Sequence, residues 1–232
     1  MKGTQTPLPL IEKRAYKPET FFVHSGVAEI VLHADKTLAS KVPGITLITG
    51  DKFKGKSHLG IYLTAAAVKL GGFAVYLNFN EALTVIKEKK YEVINKATSI
   101  LIDDFDKLAL NFPSENSGPV VSFCEHCKNN NIHLFFILSK SIDELPCDLH
   151  IISRLKGARF FEILDPADQD LEKLLISIAK QRGLKLGKKG EEFVIKRLPR
   201  TVKSLNEYLD RLTSLNKFAV GKMGFGRVKE VI

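Results

Sequence analysis

The segment Gly50 to Ser57 constrains the fold of this chain more than any other part of the sequence. It reads Gly-Asp-Lys-Phe-Lys-Gly-Lys-Ser, the phosphate-loop pattern of a glycine, four residues and then Gly-Lys-Ser. The apolar run Ile45 to Thr49 precedes it, and helical periodicity from His58 to Leu70 follows it. A loop between a buried strand and a helix directs its backbone N–H groups at a phosphate. We therefore expect nucleotide contacts from Gly50, Gly55, Lys56, Ser57 and His58.

The middle of this loop departs from the usual pattern. Phe53 stands where many such loops carry a third glycine, and Lys52 and Lys54 flank it. A bulky side chain is strained wherever the backbone requires a positive φ. The loop is therefore expected to bind nucleotide poorly or in an altered shape. A strand, turn and helix that have lost their ligand remain the alternative interpretation.

Short apolar runs alternate with helical stretches or long connections through the first two thirds of the chain. Besides Ile45 to Thr49, the predicted strands are Phe73 to Leu77, Ser99 to Asp103, His133 to Ser139 and Arg159 to Leu164. This alternation predicts a parallel five-stranded sheet covered on both faces, a three-layer αβα domain. We assign it to residues 16–165, after a flexible polar tail at residues 1–15.

At Asp165-Pro166 the pattern of alternating strands and helices gives way to helices alone. The aspartate is expected to cap a helix that begins at the proline. Two later helices are expected around Glu191 to Leu198 and along an apolar stripe from Val202 to Leu212. Residues 166–232 therefore predict a small all-helical lid domain.

Charge, the lengths of apolar stretches and the cysteine content limit the possible partners and cellular location of the protein. The chain carries 35 Lys and Arg against 26 Asp and Glu, a net charge of +9, which leaves non-specific DNA contact or an acidic protein partner open. It has no apolar stretch of membrane-spanning length and no cleavable leader, so we expect a cytoplasmic protein without membrane contact. Zinc binding by Cys124, Cys127, His133 and Cys147 is the less favoured alternative to ordinary thiols, because no second Cys-x-x-Cys completes a ligand set.

A second group of candidate residues follows two predicted strands. Asp103 and Asp104 come directly after the apolar run Ile100 to Ile102. A carboxylate at such a strand end can hold Mg²⁺ through water, and the next one can orient or deprotonate an attacking water. We assign these roles to Asp103, together with Ser57, and to Asp104. Ser139, at the end of the next strand, is placed to reach the γ-phosphate, although a capped strand end and a turn-forming serine remain open.

Three basic residues are candidates for contact with phosphates. Arg154 is either a surface ion-pair member or a finger donated in trans to a neighbour's nucleotide, where it would stabilise the transferring phosphoryl group. Arg200 and Lys203 lie about one helical turn apart in the predicted lid, so that either is a candidate nucleotide sensor.

Taken together, these segments resemble the AAA+ module of the DnaA family of replication initiators, and most closely its short regulatory members that inactivate the initiator. The likeness covers nearly the whole chain. The matching segments are Gly50 to His58, Leu101 to Asp104, Asp148 to Leu155, Arg182 to Leu184 and Val202 to Leu212. The resemblance implies ADP or ATP with Mg²⁺, and an adenine packed by Phe21, Phe22 and Val23.

The chain also departs from that family. Phe53 replaces a loop glycine, Lys203 stands where the lid arginine is usual, and Val27 stands where an asparagine is common. The initiator continues past its lid into a helix-turn-helix domain, whereas this sequence ends at Ile232. We therefore expect no sequence-specific DNA reader and little intrinsic hydrolysis.

The tail is similar to the peptide by which the regulatory members dock onto the sliding clamp of DNA polymerase III. The matching residues are Gln5, Leu8 and Leu10, and an extended segment of this kind can place an amide and two apolar side chains in a groove. An ordinary unstructured terminus is the alternative.

The resemblance thus implies a regulator that binds adenine nucleotide and the clamp, presents Arg154 to ATP on DnaA, stimulates its hydrolysis and limits initiation. The alternatives are an autonomous AAA+ ATPase that loads or remodels replication proteins on DNA, and a non-catalytic scaffold. Self-association into a homo-oligomer is left open.

Overall fold

The computed structural model describes residues 16–40, 42–112, 118–139, 142–145, 149–215 and 224–230. The tail residues Gln5, Leu8 and Leu10 lie outside this part of the chain, as do Cys147 and Asp148. The clamp-binding prediction therefore has no structural counterpart here.

Five parallel strands form one sheet in the order β2-β3-β4-β1-β5. They are β1 (Ile45–Thr49), β2 (Ala74–Leu77), β3 (Ser99–Ile102), β4 (His133–Leu138) and β5 (Arg159–Glu162). The predicted parallel five-stranded sheet is confirmed. The predicted strands ran one or two residues too far at several ends. The excess residues, which lie in the connections next to the strands, are Phe73, Asp103, Ser139, Ile163 and Leu164.

Helices cover both faces of this sheet. They are α1 (Ser25–Ser40), α2 (Lys56–Lys69), α3 (Phe79–Lys87), α4 (Phe105–Leu110), α5 (Gly118–Asn129) and α6 (Leu149–Lys156). In β1, Leu47 packs into the core shared with α3, α4, α5 and α6, whereas Ile48 packs into the core shared with α1 and α2. Successive strand residues point to opposite faces, so this run of apolar residues supplies both cores.

Four further helices share a third apolar cluster, separate from both sheet cores. They are α7 (Leu171–Gln181), α8 (Lys188–Arg197), α9 (Val202–Leu215) and α10 (Phe225–Lys229). The Tyr208 hydroxyl, fully buried in this cluster, donates to the Val228 carbonyl at 2.8 Å. This bond joins α9 to α10.

The expected helix start at Pro166 is wrong. Pro166 lies in an extended connection, and α7 begins at Leu171 after a short 3₁₀ turn at Asp168–Asp170. Asp165 instead accepts a hydrogen bond from the backbone N–H of Val202, the first residue of α9, at 3.4 Å. The aspartate therefore contacts the start of a helix that is distant in sequence, which a local capping rule could not reveal.

Candidate nucleotide-binding site

The phosphate loop leaves β1 at the carboxyl edge of the sheet and leads directly into α2. Gly55 adopts φ 84, a left-handed conformation that glycine tolerates, and the helix begins at Lys56. Asp103 follows β3 and Ser139 follows β4 at the same edge, since the strands are parallel. The fold thus brings the loop, both aspartates and Ser139 to one end of the sheet, where αβα proteins bind ligands.

Phe53 adopts φ 70 in the middle of the loop. A non-glycine residue in this region is strained by about 1–2 kcal/mol, so the expected conflict between a bulky side chain and a positive φ is present. The Phe53 side chain is 57% exposed. Its carbonyl accepts a bond of 3.5 Å from the Asn206 side chain of α9, which links the loop to the lid helices.

The Lys56 ammonium group lies within the loop. It donates to the Gly50 carbonyl at 2.7 Å and to the Asp51 carbonyl at 2.8 Å. Partial burial lowers the pKa of Lys56, while the nearby carboxylates, led by Asp103 and Asp106, oppose that shift. The loop therefore holds the Lys56 cation close to several carboxylates. A phosphate bound here would contact Lys56 and the backbone N–H groups of the loop.

Asp103 is 6% exposed, and both of its carboxylate oxygens have partners. Oδ1 accepts from the Asp104 backbone N–H at 2.9 Å, and Oδ2 accepts from the Tyr76 hydroxyl at 2.6 Å. Burial, followed by the Asp103 carboxylate, raises the pKa of Tyr76, and the nearby Ser57 side chain opposes that shift. Asp103 and Ser57, the predicted magnesium ligands, therefore both lie near the Tyr76 phenol.

These two oxygen donors fit a hard divalent cation. In the described part of the chain no cluster of three or more His, Cys, Asp or Glu could hold a metal by itself. Mg²⁺ commonly takes one or two protein oxygens and completes its six ligands with phosphate oxygens and water. The donor set thus suits magnesium held together with a nucleotide rather than a metal held by protein alone.

Asp104 occupies a different environment. It adopts φ 54 just before α4, and its carboxylate forms an ion pair with Lys107 at 2.9 Å. This partner raises the pKa of Lys107. The Ser139 N–H, by contrast, donates to Asp106 at 3.4 Å. Asp106 was missed at the sequence level because it lies inside a helix, although its charge reaches Lys56.

An aromatic cavity of about 200 Å³ opens beside the loop, between the entry segment before α1 and the lid helices. Tyr16 stacks on His58 with ring centres 5.1 Å apart, and Phe21 meets His58 edge-on at 5.0 Å. Phe22 also lines the cavity, whereas Val23 is 37% exposed and does not line it. Flat aromatic walls of this kind suit a planar base.

His58 holds the entry segment against α2. Its Nε2 atom is hydrogen-bonded to the Lys17 carbonyl at 2.9 Å, and burial lowers the pKa of His58 despite that bond. The Thr20 carbonyl accepts from Ser177 at 2.9 Å and from Gln181 at 2.7 Å, both on α7. The entry segment is therefore attached to the sheet domain and to the lid helices alike.

The two predicted lid sensors lie away from this cavity. Arg200 is ion-paired with Asp168 and its side chain is 61% exposed, while Lys203 lies 4.0 Å from Glu207 and is 56% exposed. Neither residue lines the cavity.

Other lid residues, which sequence reasoning missed, face the cavity instead. Asn206 and Asp210 line it, and both are held by Arg182, whose side chain is only 2% exposed. Arg182 donates to Asn206 at 2.7 Å and to Asp210 at 2.9 Å. Asn206 lies four residues after the apolar position Val202 on α9, and only its contacts with Arg182 and Phe53 distinguish it from an ordinary polar helix residue.

Arg154 lies at the opposite end of the sheet from Lys56. Its guanidinium contacts Glu125 at 3.1 Å through both Nε and Nη2. It lines a cavity with Gly44 and Ile45, at the amino end of β1. Arg154 therefore cannot reach its own phosphate loop, and its role in trans stays a prediction.

The cysteines of α5 are ordinary core groups. Cys124 and Cys127 are both buried, and burial raises the pKa of the Cys124 thiol to about 12. Neither belongs to a metal-ligand cluster among the described residues. Their burial is typical of ordinary core thiols, while Cys147, the third cysteine of the zinc alternative, lies outside the described residues.

Solved structures share this architecture across most of the chain. Domain III of the DnaA replication initiation protein from Thermotoga maritima aligns over 98% of both chains with a TM-score of 0.75 and 15% identity. A DnaA replication initiator bound to AMPPCP and single-stranded DNA aligns over 89% of this chain and 66% of its own, with a TM-score of 0.64 and 19% identity. The Thermotoga maritima RuvB Holliday junction branch migration motor aligns over 94% of this chain and 71% of its own, with a TM-score of 0.64 and 12% identity.

At these identities the comparisons establish the fold, which is the AAA+ P-loop αβα fold. The chain spans only about two thirds of the length of the DnaA chain bound to AMPPCP. No protein-family model matches the sequence, and a search of curated proteins gave no match. Among the described residues no helix has both the length and the apolar character needed to cross a membrane.

Proposed function

We propose that this chain is a DnaA-type AAA+ protein that binds an adenine nucleotide between its phosphate loop and its lid helices. One observation carries the proposal: the Lys56 ammonium, the Ser57 hydroxyl and the Asp103 carboxylate meet at the loop, next to an aromatic cavity. Groups that suit phosphates thus lie next to a cavity that suits a base, as binding of a nucleoside diphosphate requires.

Each group has a distinct part in this proposal. The loop N–H groups and Lys56 neutralise the phosphates, and Tyr16, Phe21, Phe22 and His58 enclose the base. Ser57 and Asp103 hold Mg²⁺, which supplies further neutralisation of phosphate charge when it is bound. Asn206 and Asp210 offer polar groups from the lid side. Val23, Arg200 and Lys203 contribute only if the lid helices or the entry segment change position.

The test of nucleotide binding is protection from thermal unfolding. A ligand bound only by the folded state stabilises it, by about 2.7 kcal/mol at a hundred times its dissociation constant. We expect a clear rise in the melting temperature with ADP and none with adenosine alone, because the phosphates supply most of the attraction. Saturating ADP that leaves the melting temperature unchanged would contradict the proposal.

The finer proposal is an Hda-like regulator, in which the nucleotide state sets how the chain meets DnaA. The tail residues Gln5, Leu8 and Leu10 would bind the sliding clamp, and Arg154 would act on ATP held by DnaA. Two observations support it: Arg154 lies far from its own loop, and Asp104 is paired with Lys107 rather than unpaired for catalysis. Both favour hydrolysis on a partner over hydrolysis by this chain.

The regulator proposal is tested by ATP hydrolysis on DnaA with the clamp loaded on DNA. We expect the native chain to stimulate hydrolysis, and both Arg154→Ala and Gln5→Ala to lose that stimulation. Arg211→Ala, at an exposed position on α9, is the matched control and should act as the native chain does. Full stimulation by Arg154→Ala would reject the finger role.

An autonomous ATPase is the second candidate function. The shared position of Asp103, Asp104 and Ser139 at the loop edge favours it, and the fold is also that of the RuvB motor. Turnover of ATP by the purified chain without partners distinguishes the two. A regulator should be nearly inert in that assay, whereas a motor should not.

A further inference from the structure

The Tyr76 hydroxyl stands between the two residues proposed to hold a divalent cation. Tyr76 lies on β2 and pairs with Leu101 on β3, so its side chain reaches Asp103 from the neighbouring strand. The phenol donates to Asp103 Oδ2 at 2.6 Å, and Ser57 interacts with the same hydroxyl. No sequence motif points to this tyrosine, since the loop and the acidic strand end are recognised without it.

The tyrosine ring is held firmly in place. It lies against α2 at Gly60, where a Cβ atom would come within 2.8 Å of Tyr76 Cε2. Glycine therefore makes room for the ring on the first turns of the helix. Because an ionised carboxylate only accepts hydrogen bonds, the phenol is the donor to Asp103 Oδ2.

The bond to Asp103 is of a strong kind. A hydroxyl that donates to a carboxylate at 2.5–2.7 Å is charge-assisted and about twice as strong as a neutral bond. The other oxygen of Asp103 is occupied by the Asp104 N–H at 2.9 Å. A cation that is to use Asp103 Oδ2, directly or through a water, must therefore compete with the phenol for that oxygen.

Magnesium is particularly sensitive to such competition. It requires six ligands at about 2.0–2.1 Å in near-octahedral geometry and releases water reluctantly. The Tyr76 phenol lies 2.6 Å from Asp103 Oδ2 and occupies space beside this oxygen that a cation bound there needs. Replacing that hydroxyl by hydrogen should remove the competitor and leave the ring packing unchanged.

We propose that the Tyr76 hydroxyl competes with the divalent cation for Asp103, and so makes nucleotide binding by this chain nearly independent of Mg²⁺. The inference rests on the proposed nucleotide site and adds a residue that determines its cation dependence. A nucleotide that stays bound whether or not magnesium accompanies it suits a chain whose bound state is a signal rather than a step in turnover.

The experiment measures ADP affinity by titration calorimetry, once with excess Mg²⁺ and once with a chelator. The cation coupling is the dissociation constant of ADP with the chelator divided by the dissociation constant with Mg²⁺. We expect a ratio close to one for the native chain and an increase of about tenfold in Tyr76→Phe, the factor that about 1.4 kcal/mol represents.

The matched control is Tyr91→Phe. Tyr91 is a partly buried tyrosine away from the loop, and its hydroxyl is buried without a hydrogen-bond partner among the described residues. This variant removes a phenol oxygen without touching Asp103, so its coupling ratio should equal that of the native chain. A Tyr76→Phe ratio that is unchanged, or lower than the native ratio, overturns the proposal.

A second measurement separates failure of this inference from failure of the nucleotide proposal. Calorimetric titration with inorganic pyrophosphate, once with excess Mg²⁺ and once with a chelator, keeps the phosphates that complete the cation site and needs no adenine cavity. A larger gain in pyrophosphate affinity from Mg²⁺ in Tyr76→Phe than in the native chain supports the competition even if neither chain binds ADP. An equal gain in the two chains overturns the competition, and binding of neither ADP nor pyrophosphate rejects both proposals.

Discussion

The two ends of the same sheet are built from different kinds of polar group. At the carboxyl end, Lys56 and Asp103 lie beside residues with positive φ, Phe53 and Asp104. At the amino end, Thr46 is hydrogen-bonded to His33 at 3.0 Å and to His133 at 2.9 Å. Charged groups thus surround the loop at the carboxyl end, whereas buried neutral hydrogen bonds lie at the amino end, together with the more exposed Arg154–Glu125 ion pair. Positive φ values also occur away from the loop, at Lys89 and Asn131.

The difference indicates that the carboxyl end of the sheet serves ligand binding and the amino end serves stability. Strained backbone persists where the surrounding structure enforces it, and such sites cluster where ligands bind. A buried neutral network, by contrast, rigidifies a core when all its members are paired. We therefore expect changes at the carboxyl end to affect ligand binding first, and changes at the amino end to affect stability first.

The largest effect expected at the carboxyl end comes from Lys56→Ala. The change removes the only side-chain cation of the Gly-Lys-Ser motif, and we expect ADP affinity to fall about a hundredfold, the factor that about 2.7 kcal/mol represents. Calorimetric titration measures it. Lys69→Ala, at the exposed end of the same helix, should keep native affinity, and equal losses in the two variants would contradict a specific role for Lys56.

At the amino end, acid should destabilise the fold. Burial lowers the pKa of His133 from 6.5 to about 4, and the pKa of the facing His33 is also lowered by burial. The unfolded chain then binds protons that the folded chain excludes, so the stabilisation is complete above pH 6.5 and is lost as the pH falls toward 4. For His133 alone we expect a loss of about 2–3 kcal/mol by pH 4.5.

Urea unfolding at pH 7.5 and at pH 4.5 checks this expectation. Lowered pKa values at His24 and His58 add to the loss with the same sign. A free energy of unfolding that stays constant across this range would show that His133 does not remain neutral in the fold.

Thr46→Val tests the amino-end network directly. Thr46 is fully buried, and its replacement leaves His133 Nε2 without its partner and His33 Nε2 with only the longer bond of 3.4 Å to Thr37, at a cost of about 2 kcal/mol. Urea unfolding should show this loss while ADP affinity stays native. Thr84→Val, at an exposed helix position, should change stability by less than about 0.5 kcal/mol. Loss of ADP affinity in Thr46→Val would break the contrast between the two ends.

Phe53→Gly should give the smallest change in stability, and with the opposite sign. Removing the side chain at φ 70 relieves strain, so we expect a gain of about 1 kcal/mol in the free energy of unfolding together with tighter ADP binding. Lys89→Gly is the matched control, since Lys89 adopts φ 52 in a turn far from the loop. It should gain similar stability and leave ADP affinity unchanged. If both variants gained ADP affinity, the gain in Phe53→Gly could not be attributed to relief of strain in the loop.

Local patterns in the sequence predicted the sheet, the phosphate loop and the positive φ at Phe53. Each depends on residues close in sequence: an apolar run, a glycine spacing or a bulky residue at a turn. The parallel direction of the five strands follows from the long connections between them. These features could therefore be predicted without tertiary contacts, whereas the order of the strands in the sheet could not.

The contacts that define the site could not be predicted in this way. Tyr76 reaches Asp103 from another strand, and Asp165 contacts Val202 rather than the next helix. The lid side is formed by Asn206, held by Arg182, rather than by the predicted Arg200 and Lys203. In each case the partner is chosen by how separate elements pack, and the residue type alone is compatible with an ordinary surface position.

The two bonds that the Thr20 carbonyl accepts from α7 also restrict how the molecule can articulate. Any rotation of the lid helices must either move the entry segment with them, including the Tyr16 and Phe21 rings, or break both bonds together. We therefore expect the two bonds at this one oxygen atom to resist separation of the lid helices from the entry segment, and with it widening of the aromatic cavity.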